Sequence, residues 1–94
     1  MPKRSKEPEL ATYQILYWHE VPSQIKVDDG EDEVKLELPS KFQERIDQLA
    51  AQRGLQGTDD YLAGWKWGDE LERDGSAQDV AVQLRAELEA AAAW

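Results

Sequence analysis

Val34-Lys35-Leu36-Glu37-Leu38-Pro39-Ser40-Lys41-Phe42-Gln43-Glu44-Arg45-Ile46 contains the switch that decides the fold. As far as Leu38 the apolar residues alternate strictly with Lys35 and Glu37, the two-residue period of a strand that buries one face. Beyond Pro39 the period changes. Phe42, Ile46, Leu49 and Ala50 recur at helical spacing and form one apolar stripe. Ser40 is placed as an N-cap with Gln43 three residues on, a capping box. Gly54 is placed to close the helix in the left-handed conformation. The chain divides near residue 39 into a half that reads as strands and a half that reads as helices.

Working upstream, Thr12 to His19 is rich in aromatic and branched residues. Tyr13, Ile15 and Tyr17 share one face, and Leu16 and Trp18 the other, so apolar groups on both faces predict an interior strand. Val21-Pro22-Ser23 predicts a break, because proline has no N–H for the ladder. Gln24 to Val27 reads as a short second strand with Ile25 and Val27 inward and Lys26 outward. Asp28-Asp29-Gly30-Glu31-Asp32-Glu33 is an acidic turn around a glycine. Three strands in sequence predict an antiparallel meander.

Working downstream, Thr58 caps a predicted helix whose first turn holds Asp59 and Asp60, where the dipole favours acids. Tyr61, Leu62, Trp65 and Leu71 lie along it, with Trp67 on a different side. Gly64 and Gly68 cost about 1 kcal/mol each in a helix relative to alanine. Two such glycines flanking tryptophans imply backbone packed closely against a neighbour. Asp74-Gly75-Ser76 ends this helix. Ser76 caps the last one, with Asp79 at the third position and Val80, Leu84, Leu88 and Ala91 as its stripe. The expected architecture is α+β: a three-stranded antiparallel meander followed by three helices packed on one face, with no internal repeat.

Ninety-four residues suit a single domain, with residues 10–94 as its body. Residues 1–9 hold two prolines and no apolar residue after Met1, the composition of a disordered arm. Lys3, Arg4 and Lys6 have no apolar run after them, so they are not the start of a signal peptide. No apolar stretch approaches the ~20 residues needed to span a bilayer. The expected location is cytoplasmic. The chain carries a net charge of -9, and without the arm 8 basic and 18 acidic residues leave -10. That balance argues against a partner selected for its phosphates. The absence of cysteine excludes a disulfide framework, a cysteine-ligated zinc site and a thiol nucleophile.

Few residues offer chemistry. His19 is the only histidine, and Glu20 beside it would point to the opposite face of a strand. His19 therefore reads as a strand-end histidine making an ordinary hydrogen bond rather than a general base. Asp28 to Glu33 places five carboxylates in six residues, a pattern with some capacity for a hard cation. Counted from Asp28, however, Gly30 falls where an EF-hand needs its third acid and Glu33 where it needs glycine, so a solvated hairpin turn is expected. Four tryptophans are many for this length. On a helix Trp65 and Trp67 would lie about 200° apart, one in the core and the other partly exposed, and exposed tryptophans are enriched at binding hot spots. The C-terminal Trp94 either caps the core or frays.

Strand, proline and two helices from Val34 to Leu71 also resemble the ribbon-helix-helix unit of small bacterial repressors and antitoxins. In that family the strand pairs with its twin in a dimer and its outward residues enter the major groove. Those residues would be Lys35 and Glu37 here, and an acidic side chain on an acidic body argues against DNA.

Three stretches together resemble a family of short bacterial proteins, the conserved virulence factors. They are Tyr13-Gln14-Ile15-Leu16-Tyr17-Trp18-His19-Glu20-Val21-Pro22, then Phe42-Gln43-Glu44-Arg45-Ile46-Asp47, then Thr58-Asp59-Asp60-Tyr61-Leu62 through Trp65-Lys66-Trp67-Gly68 to Gly75-Ser76. The resemblance covers nearly the whole chain after residue 10. It brings no established activity, catalytic residue or cofactor, and it suits a bacterial interaction module. The leading expectation is a non-enzymatic acidic domain that binds a protein partner through an aromatic-bearing helix. Trp65, Trp67, Trp18 and His19 are the candidate contacts, no metal or cofactor is expected, and homo-oligomers are compatible with the sequence. The alternative is a ribbon-helix-helix-like dimeric regulator or antitoxin.

Overall fold

A computed structural model describes residues 10–92. The proposed arm at residues 1–9 and Trp94 lie outside the described residues. The elements in chain order are β1 (Leu10–Trp18), β2 (Val21–Asp28), β3 (Glu33–Glu37), α1 (Ser40–Gln52), α2 (Asp59–Ala63), β4 (Trp65–Trp67), β5 (Leu71–Asp74) and α3 (Ala77–Ala91). The class is α+β, as the sequence implies. The sheet, however, is an antiparallel one of five strands rather than three. Its spatial order is β3-β2-β1, with β4 and β5 both paired along the far edge of β1.

The correction concerns residues 64–74, which the glycine-interrupted helical pattern assigned to a helix. Only Asp59–Ala63 is helical. The rest runs antiparallel to β1 as one edge strand with a bulge. Leu16 pairs Trp67 and Trp18 pairs Trp65, whereas Tyr13 pairs Leu71 and Leu10 pairs Asp74, so the register moves by one residue between the two segments. At the step the Gly68 N–H donates to the Ile15 carbonyl at 2.8 Å, and the Gln14 side-chain amide donates to the Gly68 carbonyl at 3.2 Å. An inserted residue turns every later side chain to the other face. Trp65 and Trp67 therefore share the face of Leu16 and Trp18, while Leu71 and Arg73 share that of Tyr13 and Ala11. The ribbon-helix-helix pattern is not formed within the chain, because β3 pairs with β2 and the second helix is one turn long.

β1 is interior, as its two apolar faces predict. The expected break at Val21–Ser23 is instead part of β2. Its pairing with β1 shifts by one residue at Tyr17–Pro22, leaving Ser23 as the extra residue, and a bulge is where a sheet tolerates proline. Ser40 begins α1 as its first helical residue rather than capping it, and Pro39 occupies the cap position with no side-chain bond. At the other end Gly54 has φ +68, with its N–H donating to Ala51 and that of Leu55 to Ala50. This is the Schellman closure that the position of Gly54 predicts. Thr58 and Ser76 cap α2 and α3, accepting from the N–H of Tyr61 and Asp79.

The core is one connected cluster in which Ala11, Ile25 and Val27 of the sheet meet Ala77, Val80, Ala81 and Leu84 of α3 and Phe42, Ile46, Leu49 and Ala50 of α1. α3 lies on the face of Tyr13, Ile25 and Val27. Arg73, on that same face, bonds Glu87 of α3 at 2.7 Å and lies 5.7 Å over the Tyr13 ring. Their hydrogen bond lowers the Glu87 carboxyl and raises Arg73 relative to their usual ranges.

Asp29 ties the β2–β3 turn to α3. One carboxylate oxygen accepts from Glu31 and Asp32 at 2.9 and 2.8 Å, and the other accepts from the Ala77 N–H at 2.9 Å. The last is a first-turn N–H of α3, which has no partner within the helix. Among the described residues Asp28 accepts a local bond from the Gly30 N–H at 2.7 Å. We expect Asp29→Ala to destabilise the chain by about 1–2 kcal/mol, as loss of a helix cap does, and Asp28→Ala to cost less. Urea denaturation of the two variants checks this, and equal midpoints would contradict the bridging role.

Candidate interaction face

Aromatic rings gather where the β1–β2 turn meets α2. Trp18 is 0% exposed, and its indole N–H donates to the Tyr61 carbonyl at 2.8 Å. The Tyr61 ring lies 5.5 Å from that of Trp18 and 6.3 Å, edge-on, from that of Trp65. Trp65 is half-buried in this group. His19 and Glu20 form the two-residue turn, with His19 at φ +52, a region that histidine enters more readily than most residues. The imidazole packs edge-on to Trp18 at 4.4 Å, and the His19 N–H donates to the Gly64 carbonyl at 3.1 Å.

Gly64 lets these parts meet. A Cβ there would stand 2.7 Å from the Trp18 indole nitrogen and 2.8 Å from Nε2 of His19. A Cβ at Gly68 would stand 3.2 Å from the Tyr17 ring and 3.3 Å from the Ile15 carbonyl oxygen. Both glycines permit the close backbone approach that the sequence implies, and the neighbour is β1 with the turn that follows it.

The face of the sheet away from α3 carries a different surface. Cross-strand pairs place Gln14 beside Lys26, Lys26 beside Lys35, Gln24 beside Glu37 and Leu16 beside Trp67. Trp67 is 43% exposed, and the Lys26 ammonium lies 4.8 Å from its ring centroid. Sequence reading assigned Lys26 only an outward direction. Its contact with Trp67 was invisible because it requires residue 67 to lie on a strand two places away in the sheet. The two tryptophans are also not on opposite sides as a helix would have them. They share a face, with Trp65 set edge-on to the Tyr61 ring and Trp67 left on the open sheet.

Of the four candidate contacts, Trp67 and His19 are exposed and Trp65 is half-buried. Trp18 has no surface to offer a partner, because it is wholly buried in the core cluster. Glu20 does not hold His19. Its carboxylate bonds Arg53 at 2.9 Å, and this bond lowers it relative to the usual carboxylate range. Among the described residues no three His, Cys, Asp or Glu side chains converge as a metal site. Asp29 of the acidic turn is occupied by backbone N–H groups instead. A concavity lined by Tyr17, Pro22, Phe42 and Leu88 has a volume of about 200 Å³, and a more open one lined by Leu10, Thr12, Asp28 and Glu70 about 370 Å³, at or below the lower end of the ~300–1,000 Å³ usual for ligand pockets. No described helix is long and apolar enough to cross a membrane.

Comparison with known families adds one decisive finding, a match between residues 16–92 and the model of the family described as "Virulence factor". The chain belongs to the virulence factor family. No curated protein and no solved structure matches it. The sequence stretches that carried the virulence factor resemblance now have places. Tyr13 to Pro22 forms the β1–β2 hairpin, Phe42 to Asp47 lies in the N-terminal half of α1, and Trp65 to Gly68 forms the strand and bulge beside β1. In this virulence factor domain the unusual tryptophans divide between a buried anchor, Trp18, and a surface ring, Trp67.

Proposed function

We propose that this virulence factor chain is a non-enzymatic, cytoplasmic bacterial interaction domain that binds a protein through the open sheet face around Trp67. The aromatic-bearing element is strand β4 rather than a helix. The observation that carries the reading is the exposure of Trp67 on a hydrogen-bonded strand, with its ring held beside Lys26. A large apolar ring fixed in place loses little conformational freedom on binding and makes an effective anchor. The acidic chain, at a net -9, suits a partner with a basic rim around an aromatic pocket.

Replacing Trp67 with alanine removes the anchor and leaves Trp18, Tyr61 and Trp65 in place. Affinity capture from the native host, compared by mass spectrometry, should show a protein retained by the wild type and lost from Trp67→Ala. A hot-spot truncation of this kind costs about 2 kcal/mol or more, roughly thirtyfold in affinity. The thermal midpoint of the variant should stay within a few degrees of wild type. Identical captured proteins at equal strength would refute the assignment.

A further inference from the structure

The two edges of the sheet differ. The β4–β5 edge is interrupted by its bulge at Gly68 and carries Asp69, Glu70, Glu72 and Asp74, devices that discourage another strand from pairing there. β3 is regular over its whole length and has a partner on one side only among the described residues. The Leu38 N–H donates to the Ser23 carbonyl of β2 at 3.0 Å. By the two-residue alternation, Leu36 and Val34 also turn their backbone groups to β2, and Glu33, Lys35 and Glu37 turn theirs outward. The side chains of these last three are exposed, while Val34 and Leu36 are only half-buried. Among the described residues the outer edge of β3 is thus an open backbone template, with charges on one face and an unfinished apolar strip on the other.

We propose that β3 pairs antiparallel with β3 of a second copy of this chain, about a two-fold axis at Leu36. The charge pattern selects this register. Centred on Leu36, Lys35 lies opposite Glu37 of the other copy and Glu37 opposite its Lys35. Leu36 then meets Leu36, and Val34 meets Leu38. All four outward N–H and C=O groups of Lys35 and Glu37 find partners across the axis. Centring on Lys35 sets lysine against lysine and Glu33 against Glu37 twice, a like-charge arrangement that destabilises. Centring on Val34 matches Glu33 with Lys35 but forces Asp32 of the turn against Leu36 and Glu31 against Glu37. A register offset by a single residue sets charged side chains against apolar ones. The pairing runs through the backbone edge of β3, at the opposite end of the β3-β2-β1-β4 order from Trp67, so Trp67→Ala separates the two assignments.

The test uses Lys35→Glu and Glu37→Lys on the full chain, at about 0.15 M salt, where screening limits repulsion between the two acidic bodies. Light scattering after size exclusion should give the wild type as a dimer at concentrations on the order of 0.1–1 mM. Each single variant creates two like-charge pairs across the axis and should raise the dissociation constant about tenfold or more. Mixed one to one, the two variants restore both attractive pairs and should recover the dimer, and so should the double variant carrying both changes. Circular dichroism melts establish that each variant is folded, since both residues are exposed. Trp67→Ala should leave the mass unchanged. A monomeric wild type at the highest concentration, or single variants that dimerise as well as wild type, overturns the proposal. Weakening by Lys35→Glu alone would also overturn the Leu36-centred register, because Glu37 opposes Lys35 only there.

Discussion

Trp18→Ala is expected to be the most damaging single substitution at a site away from any proposed interface. The side chain is wholly buried, and replacing a buried tryptophan by alanine typically costs about 3–5 kcal/mol. It also leaves the Tyr61 carbonyl without its indole donor. For a chain of this size each kcal/mol lowers the thermal midpoint by about 4–8 °C, so a fall of roughly 12 °C or more should be seen, or no folded state at all. Trp18→Phe separates the two contributions. It keeps most of the apolar volume and removes the hydrogen bond, and should cost about 1–3 kcal/mol. A melt of Trp18→Ala close to wild type would mean that Trp18 is not the anchor between β1 and α2.

Gly64→Ala is expected to follow it. Gly64 has φ -75, an ordinary helical value that alanine adopts without strain. The whole cost is therefore steric. The new methyl group would approach the indole nitrogen and the imidazole to less than 3 Å. The imidazole is exposed and can turn away, but the indole is enclosed and cannot. Overpacking of this kind costs about 1–3 kcal/mol, and here it also pushes on the Trp18–Tyr61 hydrogen bond. A lower melting midpoint together with a shifted indole N–H resonance is the expected pair of results. If the substitution were neutral or stabilising, as Gly→Ala is at an open helical site, Gly64 would not lie against Trp18.

These effects explain what the sequence could and could not disclose. Strand β3 was legible because its alternation is strict over five residues. The interior position of β1 was legible because two apolar faces need two partners. The Schellman end of α1 was legible because its conformation is local. Gly64 and Gly68 were correctly read as sites of close packing, yet the element containing them was not. Trp65-Lys66-Trp67 is too short for a period of 2 to be told from one of 3.6. Tyr61, Leu62, Trp65 and Leu71 fit a helical stripe well enough to hide the break. What decides the matter is the unpaired edge of β1, some fifty residues away in sequence. A helix at 64–71 would leave that central strand's backbone groups without partners, and pairing through a bulge satisfies them. The Lys26–Trp67 contact was hidden by the same long-range step, and so was the assignment of Trp18 to the interior.

The surface role of Trp67 and the packing of Gly64 both depend on residues 65–74 running beside β1. Nuclear Overhauser contacts between backbone protons of this segment and β1 test that arrangement most directly. The structure predicts cross-strand contacts linking Tyr17 with Lys66 and Thr12 with Glu72, and a Gly68 amide protected from exchange by the Ile15 carbonyl. Contacts between residues three and four apart running continuously from Thr58 through Leu71, with none to β1, would show a helix there and contradict the account.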